Sequence, residues 1–298
     1  MPSEPILRAL ARSPWEARAT ITVLVGAVLL SGFALAGAEV GDLLTDPRVW
    51  PKRPWTLLTS VLLHASPMHL LFNVLMGWQL GRAVEAIWGT PRTALLLLFL
   101  AAGSNAAQWA LSGPSLGLSG VVYGLFGLLW AADRWQADKG GILNPGTANL
   151  LWGWMVLCIV LTEAQVMQIA NVAHVSGAAL GVALGWSTSG PRDARGWRWF
   201  LFPLLTVLFV AAGLFGRPWL NHSESRAVEL FGQGVRLGED GRLEEALAAF
   251  TRSTELRPSL AESWWNRGVM LQRLGRRGEA DASFEEARAL GYAPPGEG

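Results

Sequence analysis

The stretch GLSGVVYGLFGLLWAA, residues 117–132, joins a Gly-Leu-Ser-Gly turn to an unbroken apolar run. Taken alone, it is a hydrophobic helix whose small residues let a neighbour come close. Its setting adds to that. Gly113, Pro114 and Gly117 break the chain just ahead, which puts Ser119 near a helix N-terminus. Backbone N–H groups there have no intrahelical partner and can bind a developing oxyanion. Gly120 and Gly124, one turn apart, offer a close-packing face. Three of the four histidines, His64, His69 and His174, also fall inside apolar segments. Ionisable groups at membrane depth are costly and point to function by default.

Working outward, the 298-residue chain is 51% hydrophobic, yet its mean hydropathy is only +0.30. The average hides two unlike parts. Up to about residue 217 apolar runs alternate with short polar breaks, and from about residue 222 the sequence is charged and periodic. That pattern predicts a membrane domain followed by a small soluble one. A bilayer core takes roughly 17–25 apolar helical residues per crossing. Candidate spans are 21–38, 57–81, 93–111, 118–132, 150–161, 169–186 and 199–215. The fourth and fifth are short, which helices surrounded by other helices tolerate. Trp50, Trp55, Trp88, Trp186, Trp197 and Trp199 near the ends of runs suit the bilayer interface. Arg8, Arg12 and Arg18 ahead of the first run, with Ala34-Leu35-Ala36-Gly37-Ala38 behind it, also resemble a cleavable signal peptide. Retention is the preferred reading, because cleavage would remove a member of the helix bundle.

Basic residues set the orientation. With the N-terminus inside, the inner segments carry Arg8, Arg12, Arg18, Arg82, Arg92, Arg134, Lys139, Arg192, Arg195 and Arg198. The outer short loops carry Arg48, Lys52 and Arg53. Seven crossings then place the C-terminal part outside the cytoplasm, in a multi-pass protein of a bacterial inner membrane. A net charge of +1, with dispersed basic residues, gives no reason to expect nucleic acid. The single cysteine, Cys158, excludes an intrachain disulfide or a cysteine zinc cage.

His174 lies one turn before Gly177, Gly181 and Gly185, a small-residue stripe at a spacing of four. Two helices meeting through glycine faces can bring Ser119 and His174 into hydrogen-bond reach, the contact that activates a serine. The rival reading is a structural histidine. His69 and Asn73, four apart, share a helical face and carry donors suited to an oxyanion. They would serve equally as a polar interhelical clamp. A metal held by His64, His69 and His174 is disfavoured, because no cysteine or acidic partner lies in register.

Together these residues resemble the rhomboid intramembrane serine proteases, over roughly residues 50–186. The resemblance also includes Trp55, Glu85-x3-Gly89, Val121-Val122-Tyr123 and Asn171 before Ala173-His174. It implies Ser119 as nucleophile and His174 as general base of a dyad with no acidic third member. His69, Asn73 and the Ser119 N–H would form the oxyanion hole, and Tyr123 would stack on His174. His64 and Gly117 would take supporting roles. No cofactor or metal is implied. Family members often carry Trp-Arg in the first outer loop, whereas this chain has Trp55-Thr56, with Arg53 as the candidate substitute.

The tail carries an internal repeat of 34 residues. Leu230 pairs with Trp264, Gly234 with Gly268, Leu237 with Leu271, Gly241 with Gly275, Ala246 with Ala280, and Phe250 with Phe284. This resembles tetratricopeptide repeats. A plain helical appendage is the alternative. Two repeats bury little against each other, so the tail is expected to dock on the membrane domain, pair with another copy or bind a protein partner.

The fold expected is all-α: a polytopic transmembrane bundle with a six-helix rhomboid-like core plus one extra span, then a small helical repeat domain. The divisions are 1–20 (cytoplasmic segment), 21–190 (protease core), 191–217 (connection and seventh helix) and 222–298 (two repeats). The expected function is a serine endopeptidase that cleaves transmembrane segments of membrane proteins within the lipid bilayer. One alternative is a catalytically silent rhomboid-like scaffold that binds membrane proteins, which the presence of both Ser119 and His174 disfavours. A transporter using histidines as proton relays is disfavoured by the lack of Asp, Glu, Lys or Arg deep in the spans.

Overall fold

The computed structural model of the chain describes residues 13–45, 53–135, 141–188 and 196–293. Arg8, Arg12, Arg48, Trp50, Lys52, Lys139, Arg192 and Arg195, used above for orientation and interface, lie outside the described residues. Every regular element among the described residues is helical, and the chain is an all-α polytopic bundle with a helical tail. It divides into two compact units, one of Met1–Ala110 and Pro114–Leu220, the other of Leu111–Gly113 and Asn221–Gly298.

In the first unit the long helices are α1 (Arg18–Leu35), α2 (Pro67–Trp88), α3 (Thr90–Leu111), α4 (Ser119–Trp135), α5 (Pro145–Glu163), α6 (Asn171–Thr188) and α7 (Leu201–Ala211). A 3-10 turn precedes α7 and a π-helical turn, Ala212–Gly216, follows it, so the apolar run spans Trp197–Leu220. Among the described residues four helices can cross a bilayer by length and composition: α1, α3, α5 and Trp197–Leu220. A fifth candidate is the pair Thr56–Leu62 and Pro67–Trp88, bent by 100°.

That bend corrects the single span expected over 57–81. Ser66 caps α2 by accepting the His69 N–H at 3.2 Å, and Pro67 occupies the first turn. Both choices start a helix rather than continue one. His64 therefore lies in the break and not on a helix. At its other end α2 runs on to Trp88, so Glu85 is a helical, buried residue rather than a loop residue beyond the span. Its carboxylate accepts the N–H groups of Ala19 and Thr20, each at 2.9 Å, and the Thr20 hydroxyl at 2.8 Å. It thus satisfies orphan donors at the start of α1 from 65–66 residues away in the chain. The fifth span is longer than expected: Asn144 accepts the Gly146 N–H at 2.7 Å and Pro145 opens the helix, adding a full turn.

The central pair, α4 and α6, falls short of a lipid-facing span in length or hydropathy. Both are enclosed by other helices, where small residues replace long apolar ones. A Cβ on Gly177 would collide with the Gly120 carbonyl, one on Gly181 with the Gly124 carbonyl, and one on Gly127 with the Ala178 carbonyl. The two backbones touch along their length. Leu100, Leu125, Phe126 and Leu180, all fully buried, complete the core around them.

In the second unit, α8 (Glu224–Glu239) and α9 (Leu243–Leu256) form one hairpin, and α10 (Ala261–Arg273) and α11 (Arg277–Ala289) another. Several contacts of the first hairpin recur in the second at a spacing of 34 residues. Phe250 closes on Gly234, and Phe284 closes on Gly268. Gly241 and Gly275 hold φ of +77° and +78° at the two turns, and Arg242–Glu245 recurs as Arg276–Glu279. Trp265 is committed inside this unit, stacked on Phe284 at 4.7 Å and Tyr292 at 5.2 Å. Trp264 donates to the Pro258 carbonyl at 2.9 Å.

Candidate active site

Ser119 is the first residue of α4, and the first intrahelical bond there runs from Val122 N–H to the Leu118 carbonyl at 2.9 Å. The amides of Ser119 and the two residues after it therefore lack i−4 partners. The loop leading in is held by two of its own amides. Gly117 N–H donates to the Ser60 carbonyl at 3.3 Å, and Leu118 N–H donates to His64 Nε2 at 3.3 Å. His64 is fixed in turn, with Nδ1 3.1 Å from the Ser31 hydroxyl, which also donates to the Leu62 carbonyl at 3.0 Å. Since Nε2 accepts, Nδ1 carries the proton in this arrangement.

Gly117 sits at φ +106°, and a Cβ there would lie 2.6 Å from the His69 ring. Only glycine meets both demands. The loop thus packs against two imidazoles, His64 and His69, whose rings meet edge-on with centroids 4.9 Å apart.

Across the α4–α6 contact, His174 Nε2 lies 2.8 Å from the Ser119 hydroxyl. The imidazole packs on the buried Tyr123 ring, with centroids 4.7 Å apart and a tilt of 33°, and the Tyr123 hydroxyl donates to the Leu151 carbonyl at 3.0 Å. His174 Nδ1 is buried and has no hydrogen-bond partner among the described residues. A serine paired with an imidazole at this distance can lose its proton to Nε2 as it attacks a carbonyl.

Asn73 is one turn beyond His69 on α2 and is buried. One N–H of its amide donates to the His69 carbonyl at 2.9 Å, and the amide has a second N–H to give. His69 itself is half-buried. All seven residues singled out from the sequence thus belong to the first unit. Ser119, His174 and Tyr123 form one direct cluster. His64, His69 and Gly117 form a second around the loop, and Asn73 sits beneath His69. Among the described residues no group of three or more His, Cys, Asp or Glu is arranged to hold a metal ion.

Three buried polar residues that the sequence reading passed over complete the frame. Asn105 donates to the Leu57 carbonyl at 2.8 Å and the Ser60 hydroxyl at 2.7 Å, and accepts from the Ser115 hydroxyl at 2.5 Å. Gln108, on the same helix, accepts the Ala173 N–H at 3.1 Å. Ser31 orients His64, as described. The signal was present: Ser104, Asn105 and Gln108 interrupt an otherwise apolar run, and polar groups there demand a partner.

Comparison with known proteins follows these residues. Residues 51–191 match the family model of the rhomboid domain. The chain is 33% identical over 184 residues to the rhomboid protease GlpG of Enterobacter sp. (strain 638), an overlap covering 58% of this chain and 64% of that relative. The stretch of this chain that carries Ser119, His174, His64, His69 and Asn73 is similar to a rhomboid domain.

Proposed function

We propose that this chain is a rhomboid-type intramembrane serine endopeptidase, with Ser119 as nucleophile and His174 as general base. The observation that carries the proposal is the 2.8 Å approach of His174 Nε2 to the Ser119 hydroxyl across a helix contact that glycines alone permit. In this reading Ser119 Oγ bonds to the carbonyl carbon of the scissile peptide as its proton passes to His174 Nε2. The carbonyl oxygen takes the negative charge. The tetrahedral species then expels the amine, which leaves with the proton from His174, and an acyl-enzyme remains. Water, deprotonated by the same imidazole, attacks the ester, and Ser119 recovers its proton. The Ser119 N–H at the start of α4 faces the oxyanion, joined by Asn73 and His69. The amides of Gly117 and Leu118 are already engaged and contribute rigidity instead.

A protease requires extended backbone, which favours transmembrane segments of weak helicity as substrates, and the resemblance to rhomboid proteases implies small residues at the cut. The chain resides in a bacterial inner membrane with seven crossings, α4 and α6 being short because protein surrounds them. The tail is a pair of tetratricopeptide-like repeats outside the cytoplasm that engages a protein partner. The 34-residue recurrence of glycine–phenylalanine contacts and Arg–Glu pairs supports the repeat architecture of the tail. The alternative of a silent scaffold leaves the paired Ser119 and His174 without a purpose.

Purified chain with a single-span test substrate provides the check. Cleavage should vanish in Ser119→Ala and in His174→Ala, and the double variant should be little worse than either, since the two act as a unit. Full activity in either folded single variant contradicts the assignment.

A further inference from the structure

The last apolar run, Trp197–Leu220, lies beyond the residues similar to a rhomboid domain, yet its end reaches the helix that frames the site. Arg217 is buried, its guanidinium lies 3.6 Å from the centre of the Trp109 ring, and it donates to the Trp109 carbonyl. That carbonyl is in the last turn of α3, where carbonyls have no intrahelical partner and a cation is favoured. Two further contacts seat the run on the same turns. Val210 packs with Trp109, Ala106 and Leu57, and a Cβ on Gly213 would lie 3.0 Å from Ala106. The π-helical turn Ala212–Gly216 directly precedes Arg217. Such turns alter the aim of the residues beside them.

The end of α3 is where both halves of the dyad are supported. Asn105 fixes the Thr56–Leu62 segment and Ser115, and through Ser60 that segment holds Gly117, two residues before Ser119. Gln108 holds Ala173, the neighbour of His174. Trp109 follows Gln108 directly. We propose that the last run is a positioning element for catalysis: Arg217, acting through Trp109, fixes the end of α3 and with it the register of Ser119 against His174. This rests on the protease reading, and the test separates the two.

The full chain in defined lipid vesicles is compared with Arg217→Leu and Arg217→Lys. The readouts are kcat and KM on a single-span substrate, the rate of Ser119 labelling by a fluorophosphonate, and thermal unfolding. Small displacements of reacting groups cost up to about 100-fold in rate. Arg217→Leu should lose roughly 10–100-fold in kcat and in labelling rate, with KM held. Arg217→Lys, which keeps a cation able to reach the Trp109 carbonyl, should recover part of that loss. A purely structural role would lower the unfolding temperature and leave kcat of the folded enzyme intact, which overturns the proposal. If Arg217→Leu does not fold, Gly213→Val wedges the run away from Ala106 and should show the same loss confined to kcat. Unchanged kcat in that variant also overturns the proposal. Failure of the wild type itself to label at Ser119 sinks the protease reading and this inference together. A labelled wild type matched by equally labelled Arg217 variants sinks this inference alone.

Discussion

Gly181 of α6 lies directly against the Gly124 carbonyl of α4, with no room for a side chain between the two backbones. The Ser119–His174 distance depends on this contact, because each residue sits near the start of its own helix and the two helices meet along this seam. Gly181→Val should push the helices apart. Overpacking of this kind costs about 1–3 kcal/mol in stability. Serine labelling should fall even in the molecules that remain folded. Gly153→Ala on α5, where a Cβ meets nothing within 4 Å, is the matched control and should be silent in both assays. Labelling unaffected by Gly181→Val would mean that the dyad is set by something other than the glycine seam.

Gly117→Ala tests the loop ahead of the nucleophile. The new Cβ meets the His69 ring at 2.6 Å, and the backbone must keep φ near +106°. Strain of this type costs about 1–3 kcal/mol, and the loop relieves it by shifting Ser119. Turnover should drop sharply. His69→Ala in the same chain should restore part of it by making room, up to the limit set by the lost histidine. Wild-type turnover in Gly117→Ala would show that the loop has slack.

Asn73→Ala separates the oxyanion role from the clamp role. Loss of one oxyanion donor typically costs about 2.7–4 kcal/mol of transition-state stabilisation, roughly 100–1,000-fold in rate. The expected signature is a fall in kcat with little change in KM. A change confined to KM or to melting temperature would support an interhelical clamp instead.

Glu85→Ala removes the acceptor of three hydrogen bonds at the start of α1. Hydrogen bonds to a charged group contribute about 1.5–3 kcal/mol each, so unfolding of the purified chain should become easier by at least the lower figure. The cut rate per folded molecule should hold, since Glu85 caps α1 at the far end of α2 from His69 and Asn73. Loss of kcat without loss of stability would place Glu85 in the catalytic machinery.

The two kinds of residue in this chain differ in how openly the sequence displays them. Ser119, His174, His69 and Asn73 are conspicuous because polar chemistry stands out against an apolar background. The glycine stripes could be read because their spacing of four survives in one dimension. The break at residues 63–66 was missed because hydropathy averages over it, although Ser66-Pro67 is a helix-start signal in its own right. Glu85, Asn105 and Gln108 were harder to read for a different reason. Their partners (Ala19 and Thr20, Leu57 and Ser60, and Ala173) lie tens of residues away, and only the packed bundle brings them together.

The most direct test of the central claim is labelling of the purified chain with a fluorophosphonate, followed by mapping of the modified residue. The account predicts one adduct, on Ser119, formed at a rate that collapses in His174→Ala while thermal unfolding stays that of the wild type. Labelling that is absent from the wild type, falls on another serine, or proceeds unchanged without His174 would contradict it.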